Sequence, residues 1–568
     1  MDRQALNILI DKIVSGTPAA ALETEQLDFK VAKPVVKEAV RDLAEAAVCF
    51  ANGSGGTLIV GVRDQPGGAD AVVGCDLDGI ELRRQLYETT NPGLVVTVAE
   101  QTVQDRRLLL ITVPEGIDVH STTKGYASRR LGTSCLPMAP ADIARLADDR
   151  RGTDWSAVTT DTPIGAVDGA AMAAIRRLLG LTGRPGGRDL GRSSDQDLLT
   201  KLSLATRDGF LTRAGLMLLT TADHDLVSYQ YRPTRSGEAV TTRRWAGPIV
   251  LDFEDILDTL VARQSMTPLT LRSGVQVQLY DYPPAAVREA LANALLHGDH
   301  RLRRPVLIEH SPDGLSIVSA GPLVAGVTAQ TILTSGSRAR FATLVGAFRH
   351  LGLAEELGQG VNRMYREMLT SGRDAPTIED TGDSVAVVFR GQQPNARVAS
   401  VIHGLPEEEQ ADTDALLILH LLCARPSVDA SAVAPVIQRS IDDAQAALLR
   451  LSGPSVELIE PTRGTAGRSR PSYRLRHDTA SQLGPALAYR RKDRSELDTK
   501  VAHHVTEYGY INNSTLQRLF DVDVYAARDM LKDLVGRELL VRVSEQKRGT
   551  AVRYGPGPRF PQPKRRRR

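Results

Sequence analysis

Three acidic residues near the start of the chain have the types and spacing that metal-assisted cleavage of a phosphodiester needs. Glu23 and Asp28 stand beside and on a short strand predicted at 25–30, and Asp64 follows a second predicted strand at 57–62. Carboxylates that converge can hold a divalent cation and activate water. Glu23, Asp28 and Asp64 are therefore the candidate catalytic and metal-binding residues, with Mg²⁺ or Mn²⁺ as the ion. The alternative is that they are solvated residues at strand edges.

A glycine-rich loop at 52–56 joins a helix predicted at 34–51 to the second of these strands. Glycine adopts backbone angles that other residues avoid, and exposed amides in such a loop can bind phosphate. The basic residues predicted to contact phosphate are Lys30, Arg129 and Arg130. The alternative is that these three are ordinary surface cations.

The remaining elements of residues 1–150 complete one α/β module. Segments 94–100 and 107–113 read as a hairpin that turns at Gln104-Asp105, and 139–146 reads as a short closing helix. The hairpin prediction rests on two strand-like segments with turn residues between them.

Three separated motifs in this module resemble the Schlafen AlbA-type domain, over about residues 15–145. They are Glu23-x4-Asp28-Phe-Lys30, Phe50-Ala-Asn-x-x-Gly-Gly56 and Tyr126-x3-Arg130-x-Gly132. The resemblance implies binding of nucleic acid. Some relatives cleave RNA with three acidic residues, which the resemblance maps onto Glu23, Asp28 and Asp64. Asp28 replaces the family's usual Glu, and Ser128 stands where the family has Tyr.

A second candidate site lies on a helix predicted within 283–300. At 100° per residue, one face carries an apolar stripe and the opposite face a polar one. The apolar stripe is Val287, Leu291 and Ala294, and the polar stripe is Glu289, Asn293 and His300. Such a helix packs through the first face and points a carboxylate and an amide together from the second. An ordinary surface helix is the alternative.

This helix and the segments after it resemble the nucleotide-binding domain of GHKL ATPases, over about 281–395. In that family the Asn of an E-x-x-x-N motif holds Mg²⁺ on the phosphates and the Glu positions the attacking water. Glycines at a helix start supply amides to phosphate. The resemblance therefore implies ATP with Mg²⁺ as the ligand, Asn293 as a metal contact, and as the cofactor-binding residues Glu289, Asn293, Gly321, Gly358 and Gly360.

Two positions depart from the GHKL pattern. The stretch Ser319-Ala-Gly321 lacks the acid that reads the adenine amine, and Arg338-Ala339 replaces an Arg-Asn pair. No Walker A motif occurs in the chain. The module is expected either to bind ATP, with weak ATPase activity at most, or to be a degenerate scaffold for dimer contacts.

The C-terminal segment 491–556 has the helix, helix, helix, wing order of a winged helix. Helices are predicted at 501–507, from a cap at Asn513 or Ser514 to Phe520, and at 524–535, with strands at 539–543 and 551–554. The last helix would read bases and the wing would contact phosphates. The predicted contacts are Tyr525, Arg528, Lys532, Arg542, Lys547, Arg548 and Arg553. The alternative is that this winged helix contacts another protein.

Length, composition and charge agree with several globular domains and a polyanion partner. The 568 residues are 42% hydrophobic, and residues 491–568 carry eighteen Lys and Arg against ten Asp and Glu. The fold class predicted is α/β (α+β), multi-domain. The predicted domains are 1–150 AlbA-type, 151–280 connector, 281–395 GHKL-like α/β sandwich, 410–480 winged-helix-like, 491–556 winged helix and 557–568 basic disordered tail.

The four cysteines show no metal-ligand spacing, and Cys49 reads as a small core residue. No apolar run approaches the length of a membrane span, and the N-terminus has no signal-peptide pattern. A cytoplasmic protein without membrane contact is expected, and a homo-oligomer by analogy with both module types.

Three functions agree with these features. The first is a nucleic-acid-binding transcriptional regulator, with DNA as the expected target and RNA as the alternative. Its affinity for nucleic acid would respond to a nucleotide. The second is a metal-dependent Schlafen-like nuclease for RNA or DNA, acting in phage defence. The third is an interaction scaffold in which each site is vestigial.

Overall fold

A computed structural model describes residues 3–234, 236–270, 274–354, 358–391, 393–488, 494–520, 524–544, 546 and 552–560. The chain divides into two compact units, one of residues 1–422 with 427–483, the other of residues 423–426 with 484–568. The predicted turn at 521–523, the wing residues Lys547 and Arg548, and the tail from 561 lie outside the described residues.

Residues 3–151, here called the N-terminal module, are an α/β fold. Their helices and strands are α1 (Arg3–Val14), β1 (Leu27–Lys30), α2 (Val36–Asn52), β2 (Gly56–Val60), α3 (Gly79–Thr89), β3 (Thr90–Asn91), β4 (Thr97–Val103), β5 (Arg106–Val113), β6 (Ser121–Thr122), β7 (Ser128–Leu131), β8 (Ser134–Pro137) and α4 (Pro140–Arg151). The predicted helix at 34–51 is confirmed, and so is the hairpin, whose turn residues Gln104 and Asp105 both have positive φ.

The sheet of the N-terminal module has the order β1-β2-β5-β4, with β1 parallel to β2 and the other pairs antiparallel. Its side chains alternate between two cores. Phe29 and Ile59 pack with α1 on one face, and Leu58 packs with α2 on the other. Because Asp28 is the neighbour of Phe29 and pairs in register with Leu58, the pleat directs it to the α2 face.

Cys49 is buried in α2, as predicted, but it is not an isolated thiol. A disulfide joins it to Cys135 in β8, with the two Cα atoms 5.8 Å apart. The sequence could not show this pairing, because 86 residues separate the two positions and the β7–β8 hairpin brings them together only when it packs against α2.

Residues 155–390, here called the central module, share one continuous hydrophobic core from Ala171 to Phe389. Their elements are β9 (Thr159–Pro163), α5 (Gly169–Leu181), α6 (Gly187–Gly191), α7 (Asp195–Lys201), β10 (Phe210–Thr212), α8 (Arg213–Leu219), β11 (Val227–Tyr231), β12 (Thr241–Trp245), α9 (Ile249–Val261), β13 (Met266–Thr270), β14 (Gln276–Tyr280), α10 (Pro284–His297), β15 (Val306–Ser311), β16 (Gly314–Ala320), α11 (Ala342–His350), α12 (Gly360–Thr370), β17 (Thr377–Asp380) and β18 (Ser384–Arg390).

The central module contains a six-stranded sheet with the order β12-β11-β15-β16-β18-β17. Strand β11 pairs in parallel with β15, so the sheet extends across the boundary predicted at residue 281. The connector predicted at 151–280 therefore supplies two strands of the sheet that carries the candidate nucleotide site. No local pattern in the sequence shows this, because the pairing is long-range.

The rest of the first unit is mainly helical. It contains α13 (Ala396–Ile402), α14 (Glu407–Ala411), α15 (Thr413–Ala424), α16 (Ala430–Ile437), α17 (Ile441–Ser452), β19 (Ile459–Pro461), β20 (Tyr473–Leu475) and α18 (His477–Leu483). Strands β19 and β20 pair antiparallel. Helices α15, α16 and α17 precede this strand pair, and the assignment of 410–480 as a winged-helix-like unit stays a prediction.

The second unit contains α19 (Arg494–Tyr508), α20 (Asn513–Phe520), α21 (Val524–Gly536), β21 (Leu540–Arg542) and β22 (Tyr554–Pro556). Val505, Leu516, Ala527 and Leu534 are buried in its core. The cap of α20 is Asn512 rather than Asn513 or Ser514, because the Asn512 side chain accepts the Thr515 amide. Among the described residues, no helix has the length and apolar character needed to cross a membrane.

Candidate functional site

The central module has a deep pocket between its sheet and helices α10, α11 and α12. The pocket has a volume of about 1130 Å³ including its open mouth. Its walls include four of the residues predicted to bind cofactor, Glu289, Asn293, Gly358 and Gly360. The structure thus brings together residues that lie about 70 positions apart in the chain.

Helix α10 forms one wall of this central pocket. Glu289, Asn293 and His297 recur every four residues and all line it. The prediction that His300 shares their face is wrong, because α10 ends at His297 and His300 packs between Trp155 and Phe341. Burial, with Arg340 and Arg349 nearby, lowers the pKa of His297 to about 4, so this ring is neutral near pH 7.

Glu289 is buried and lies beside the start of α12. Its Oε1 is 3.5 Å from Nη1 of Arg363. A Cβ atom at position 360 would lie 2.7 Å from Glu289 Oε2, so the backbone at the start of α12 closely approaches this carboxylate. Asn293 is half-buried on the same helix, and its side-chain amide makes no hydrogen bond within the described chain.

The sheet forms the floor of the pocket. Alternate residues of β16 and β18 face it, with Ile317 opposite Val387 and Ser319 opposite Val385. Ile378 of β17 completes the floor. Gly321 is not part of the lining: it lies just after β16, where its Cα faces Asp299 and Arg340. The prediction of Gly321 as a cofactor contact is therefore not supported by its position.

Two arginines line the side of the pocket here called its mouth, where Arg338 is exposed and Arg349 is half-buried. Arg338 donates to the carbonyl of Ala325, and its Nη1 lies 3.5 Å from Oε2 of Glu115 in the N-terminal module. Arg349 donates to the hydroxyl of Ser337. The mouth of the central pocket is therefore cationic, whereas its floor is apolar.

A buried arginine connects the pocket wall to the N-terminal module. Arg340 donates to the carbonyls of His297 and Pro322, both pocket residues, at 2.8 Å each. Its Nε lies 3.4 Å from Asp149 near the end of α4. Arg301 also contacts Asp149, at 3.0 Å.

The last turn of α4 reaches the glycine-rich loop of the N-terminal module. Arg150, next to Asp149, donates to the carbonyl of Ala51 at 2.6 Å and to that of Gly53 at 3.4 Å. Burial lowers the pKa of Arg150 to about 10, which leaves it charged at neutral pH. One helix turn therefore contacts both the loop and the pocket wall.

The glycine-rich loop is not the amide cradle predicted from its sequence. The amides of Gly53 and Gly55 are used within the loop, because both donate to the carbonyl of Phe50. Asn52 is fully buried and holds neighbouring strands through His120 and Ser128. The motif is structural at these positions.

Of the three predicted acidic residues, here called the acidic cluster, Glu23 and Asp28 are in contact, and the charge of Asp64 acts on Glu23. The carboxyl of Glu23 hydrogen-bonds to Asp28, and its pKa is raised to about 7 by burial first, then by Asp28 and Asp64. Asp28 is only 2% exposed and pairs with Lys30 at 2.9 Å and with Arg130 at 3.4 Å.

Arg130 is a core residue and not a surface phosphate contact. Its side chain is 3% exposed. It donates to the carbonyls of Thr24 and Leu27 and stacks on the ring of Phe50. The prediction that Arg130 contacts phosphate is corrected by this burial, and Lys30 is likewise engaged with Asp28.

Arg129 remains a candidate ligand contact. Its guanidinium makes no hydrogen bond or ion pair with the described residues, and its Nε is buried without a partner. It lines a second cavity, of about 750 Å³ including its mouth, together with Pro322 and Gly382 of the central module.

The acidic cluster does not fit a metal site. Throughout the described residues, no group of three or more His, Cys, Asp or Glu side chains is arranged to hold a metal ion. The charge of Asp28 is already balanced by two cations, and Glu23 holds a proton up to about pH 7.

In the second unit, the predicted reading helix α21 exposes Tyr525, Arg528 and Lys532. Arg542 is exposed on β21, and Arg553 stacks on Tyr510 next to β22. Asp533 on the same helix pairs with Arg537, which reduces its repulsion of a polyanion.

Two sequence families match parts of the chain. The family described as Schlafen, AlbA_2 matches residues 23–139, and the family described as putative ATP-dependent DNA helicase recG C-terminal matches residues 304–389. The chain therefore contains a Schlafen AlbA_2 domain and an ATPase-type domain, which confirms both resemblances. The second match begins after α10, so Glu289 and Asn293 lie outside it.

The fold also has a solved relative. The chain is similar to the crystal structure of the DIP2311 protein from Corynebacterium diphtheriae, with a TM-score of 0.51 and 24% identity, over 85% of this chain and 99% of that one. This likeness concerns the fold. A comparison with curated proteins gave no match.

Several residues at or beside the pocket are not among the predicted site residues. His297 had a usable signal, since it continues the four-residue spacing of Glu289 and Asn293. Arg340, Asp149 and Glu115 had none, because their importance depends on contacts between two modules.

Proposed function

We propose that this protein is a nucleic-acid-binding regulator whose central pocket binds a nucleoside triphosphate with Mg²⁺. The two family matches support the classes of ligand, since one family is named for DNA helicases and the other is the AlbA_2 family. Arg129 and the exposed face of α21 are the proposed nucleic-acid contacts in the N-terminal module and the second unit.

The shape and charge of the pocket support a nucleotide as its ligand. An apolar floor suits a planar base, and Arg338 and Arg349 at the mouth suit phosphates. Asn293 offers an amide with no other hydrogen bond in the described chain, next to the amides at the start of α12. When bound, Mg²⁺ would neutralise phosphate charge, with Asn293 as its protein contact.

The observation that carries the proposal is the path from the pocket to the N-terminal module. Arg340 holds the carbonyls of His297 and Pro322 and contacts Asp149, while Arg150 beside it holds the loop after α2. Glu115 makes a second connection to the pocket through Arg338. A ligand that rearranges the pocket wall would therefore change the N-terminal module.

A further contact joins the pocket to the helices beyond it. The side chain of Gln438, just after α16, accepts the amide of Leu333 and donates to the carbonyl of Ala329. These two residues belong to the segment between β16 and α11 that forms one side of the pocket. The pocket therefore contacts both of its neighbours in the first unit.

The test is the affinity for labelled duplex DNA, measured by fluorescence anisotropy at several salt concentrations, with and without ATP and Mg²⁺. We expect salt-sensitive binding, as phosphate contacts produce, and a change of about fivefold when ATP is added. Absence of salt-sensitive binding to duplex DNA, single-stranded DNA and tRNA would reject the proposal.

A metal-dependent nuclease is the second candidate, and the convergence of Glu23, Asp28 and Asp64 is the observation that favours it. The pairing of Asp28 with Arg130 argues against it. The same nucleic acids are incubated with Mn²⁺ or with EDTA. Cleavage that needs Mn²⁺ and that Asp64→Asn removes would establish the nuclease, whereas intact substrates would reject it.

A further inference from the structure

The second cavity, here called the junction cavity, has walls from two modules. The N-terminal module contributes helix α4 and the β7–β8 hairpin with Arg129, and the central module contributes Pro322 and the turn between β17 and β18. Leu131 of the hairpin packs against this turn, since a Cβ atom at Gly382 would lie 2.6 Å from its Cδ1 atom. The cavity, of about 750 Å³ including its mouth, exceeds the space that a few water molecules occupy. It therefore has room for a ligand that contacts both modules.

Strand β7 directs the side chain of Arg129 toward the junction cavity. Adjacent residues of a strand point to opposite faces, and the neighbouring Arg130 is buried in the core. Arg129 pairs in register with Leu136 of β8, and both residues line the cavity. The disulfide between Cys49 and Cys135 attaches β8 to α2. The guanidinium of Arg129 is therefore presented from a covalently anchored hairpin.

The charge of Arg129 has no partner in the part of the chain that the structure describes. Its guanidinium forms no hydrogen bond or ion pair there, and its Nε atom is buried. The carboxyl of Glu25 interacts with this charge, but burial, followed by the charge of Asp380, raises the pKa of Glu25 to about 7. Glu25 is thus partly protonated at neutral pH and offsets the charge of Arg129 only in part.

Most of the other charges on the cavity wall are paired. Four aspartates line the cavity, namely Asp142, Asp149, Asp299 and Asp383. The first three form ion pairs with Arg145 or with Arg301. The fourth, Asp383, is exposed, and its carboxylate makes no hydrogen bond or ion pair with a described residue. Among the described residues that line the cavity, one cation and one anion therefore remain unpaired, and each comes from a different module.

We propose that the junction cavity is a binding site for a phosphate group and that Arg129 is the residue that binds this group. A guanidinium can donate two parallel hydrogen bonds to a phosphate, and a half-buried one does so with less competition from water. The phosphate belongs either to a nucleic-acid strand or to a small soluble ligand. The strand as its source rests on the proposed function, whereas the site itself does not.

The junction cavity adjoins the central pocket. Pro322 lines both cavities, and Arg340 donates to the Pro322 carbonyl. The Nε atom of Arg340 also lies 3.4 Å from Asp149, another residue of the junction cavity. A phosphate bound at Arg129 therefore lies on the path by which the central pocket contacts the N-terminal module.

The experiment compares Arg129→Gln with the matched control Arg83→Gln, which changes an exposed arginine of α3 in the same module. Titration calorimetry of the full chain measures the binding of inorganic phosphate. Fluorescence anisotropy measures the binding of a labelled DNA duplex and of a labelled single strand at several salt concentrations. Thermal unfolding checks that both variants are folded.

The two sources of the phosphate give different results. If the phosphate belongs to a strand, we expect Arg129→Gln to weaken nucleic-acid binding about tenfold and to reduce the salt slope by about one. If it belongs to a small ligand, only the affinity for inorganic phosphate should fall, again about tenfold. Arg83→Gln should leave each affinity within about twofold, because a single exposed cation far from the ligand contributes little.

A second variant tests whether the central module completes the site. Asp383→Asn removes the unpaired carboxylate from the cavity wall, so we expect the same ligand to bind about two- to threefold more tightly. The control is Asp208→Asn, which changes an exposed aspartate in the turn before β10. The same change in affinity in both variants would show that the phosphate lies outside the cavity, and would overturn the proposal.

The outcomes separate this site from the proposed function. If Arg129→Gln leaves the binding of both phosphate and nucleic acid unchanged, the site is wrong, while salt-sensitive binding by the wild-type chain still supports the proposed function. If the wild-type chain binds inorganic phosphate through Arg129 but binds no nucleic acid, the site stands and the proposed function is rejected.

Discussion

The acidic cluster of the N-terminal module and the mouth of the central pocket both gather charged side chains, but they neutralise the charge differently. In the acidic cluster, Asp28 is paired with Lys30 and the buried Arg130 of the same module. At the pocket mouth, Arg338 is paired at 3.5 Å with Glu115, a residue of another module that is partly exposed. The first arrangement stabilises a fold, whereas the second can be exchanged for a ligand.

Exposure explains the different roles. A buried pair has lost its hydration, so removing one partner leaves an uncompensated charge. An exposed pair keeps water nearby, and a phosphate can replace the carboxylate at small cost. Similar residue types therefore give a rigid core in one region and a responsive contact in the other.

The strongest test of this contrast is Asp28→Ala. Loss of the carboxylate leaves Arg130 buried without its partner, so we expect the free energy of unfolding to fall by about 3–5 kcal/mol. Urea unfolding followed by circular dichroism measures the change. The control is Asp42→Ala, which breaks the exposed pair with Lys33 and should cost less than about 1 kcal/mol. Equal losses of unfolding free energy in Asp28→Ala and Asp42→Ala would contradict the proposed difference between buried and exposed pairs.

The next effect concerns the pocket. Asn293→Ala should lower the affinity for ATP with Mg²⁺ by about ten- to a hundredfold, as loss of a hydrogen bond to a charged group does. Stability should change little, because the amide has no partner in the described chain. Calorimetry measures the affinity, and Gln278→Ala on exposed β14 is the control. An unchanged affinity would mean that α10 does not contact the ligand.

Substitutions at the contacts between the N-terminal and central modules should have a smaller effect, and this effect concerns the response of DNA binding to ATP. Asp149→Asn and Glu115→Gln each weaken a contact that connects the pocket to the N-terminal module. We expect the roughly fivefold effect of ATP on duplex affinity to fall toward none, while ATP affinity itself stays within about threefold. The control is Glu88→Gln, whose pair with Arg84 lies within α3. A retained ATP effect in both variants would reject this path.

The smallest effect is the pH dependence from Glu23. Its folded pKa is raised to about 7 from 4.5, so the folded chain holds a proton that the unfolded chain releases between these values. Stability from this group is complete below about pH 4.5 and is lost as the pH rises to about 7. The Tm of the wild-type chain should therefore decrease by roughly 1–3 °C over that range. The variant Glu23→Gln should not show this decrease. A parallel pH profile in the variant would show that Asp28 does not share this proton.

The local elements were predictable because their signals are local. Helix α2, the β4–β5 hairpin and helix α21 follow from apolar spacing and turn residues, which act within a few positions. The motif around Asn52 was also recognisable from the sequence, but its structural role was not predictable. The amides of Gly53 and Gly55 donate to the carbonyl of Phe50, and the Asn52 side chain bonds to the backbone of His120 and Ser128, a use that only packing decides.

The sequence by itself determined which residues could bind or react and which helix face would carry Glu289 and Asn293. The tertiary structure decided which of them remain available, because hydrogen bonds and ion pairs over 100 residues of separation engage Arg130 with Asp28 and leave Arg129 without a described partner. It also joined Cys49 to Cys135, placed β11 beside β15, and set Asp149 against Arg340. Residue type fixes chemistry, whereas burial and neighbours fix whether that chemistry faces the protein or a ligand.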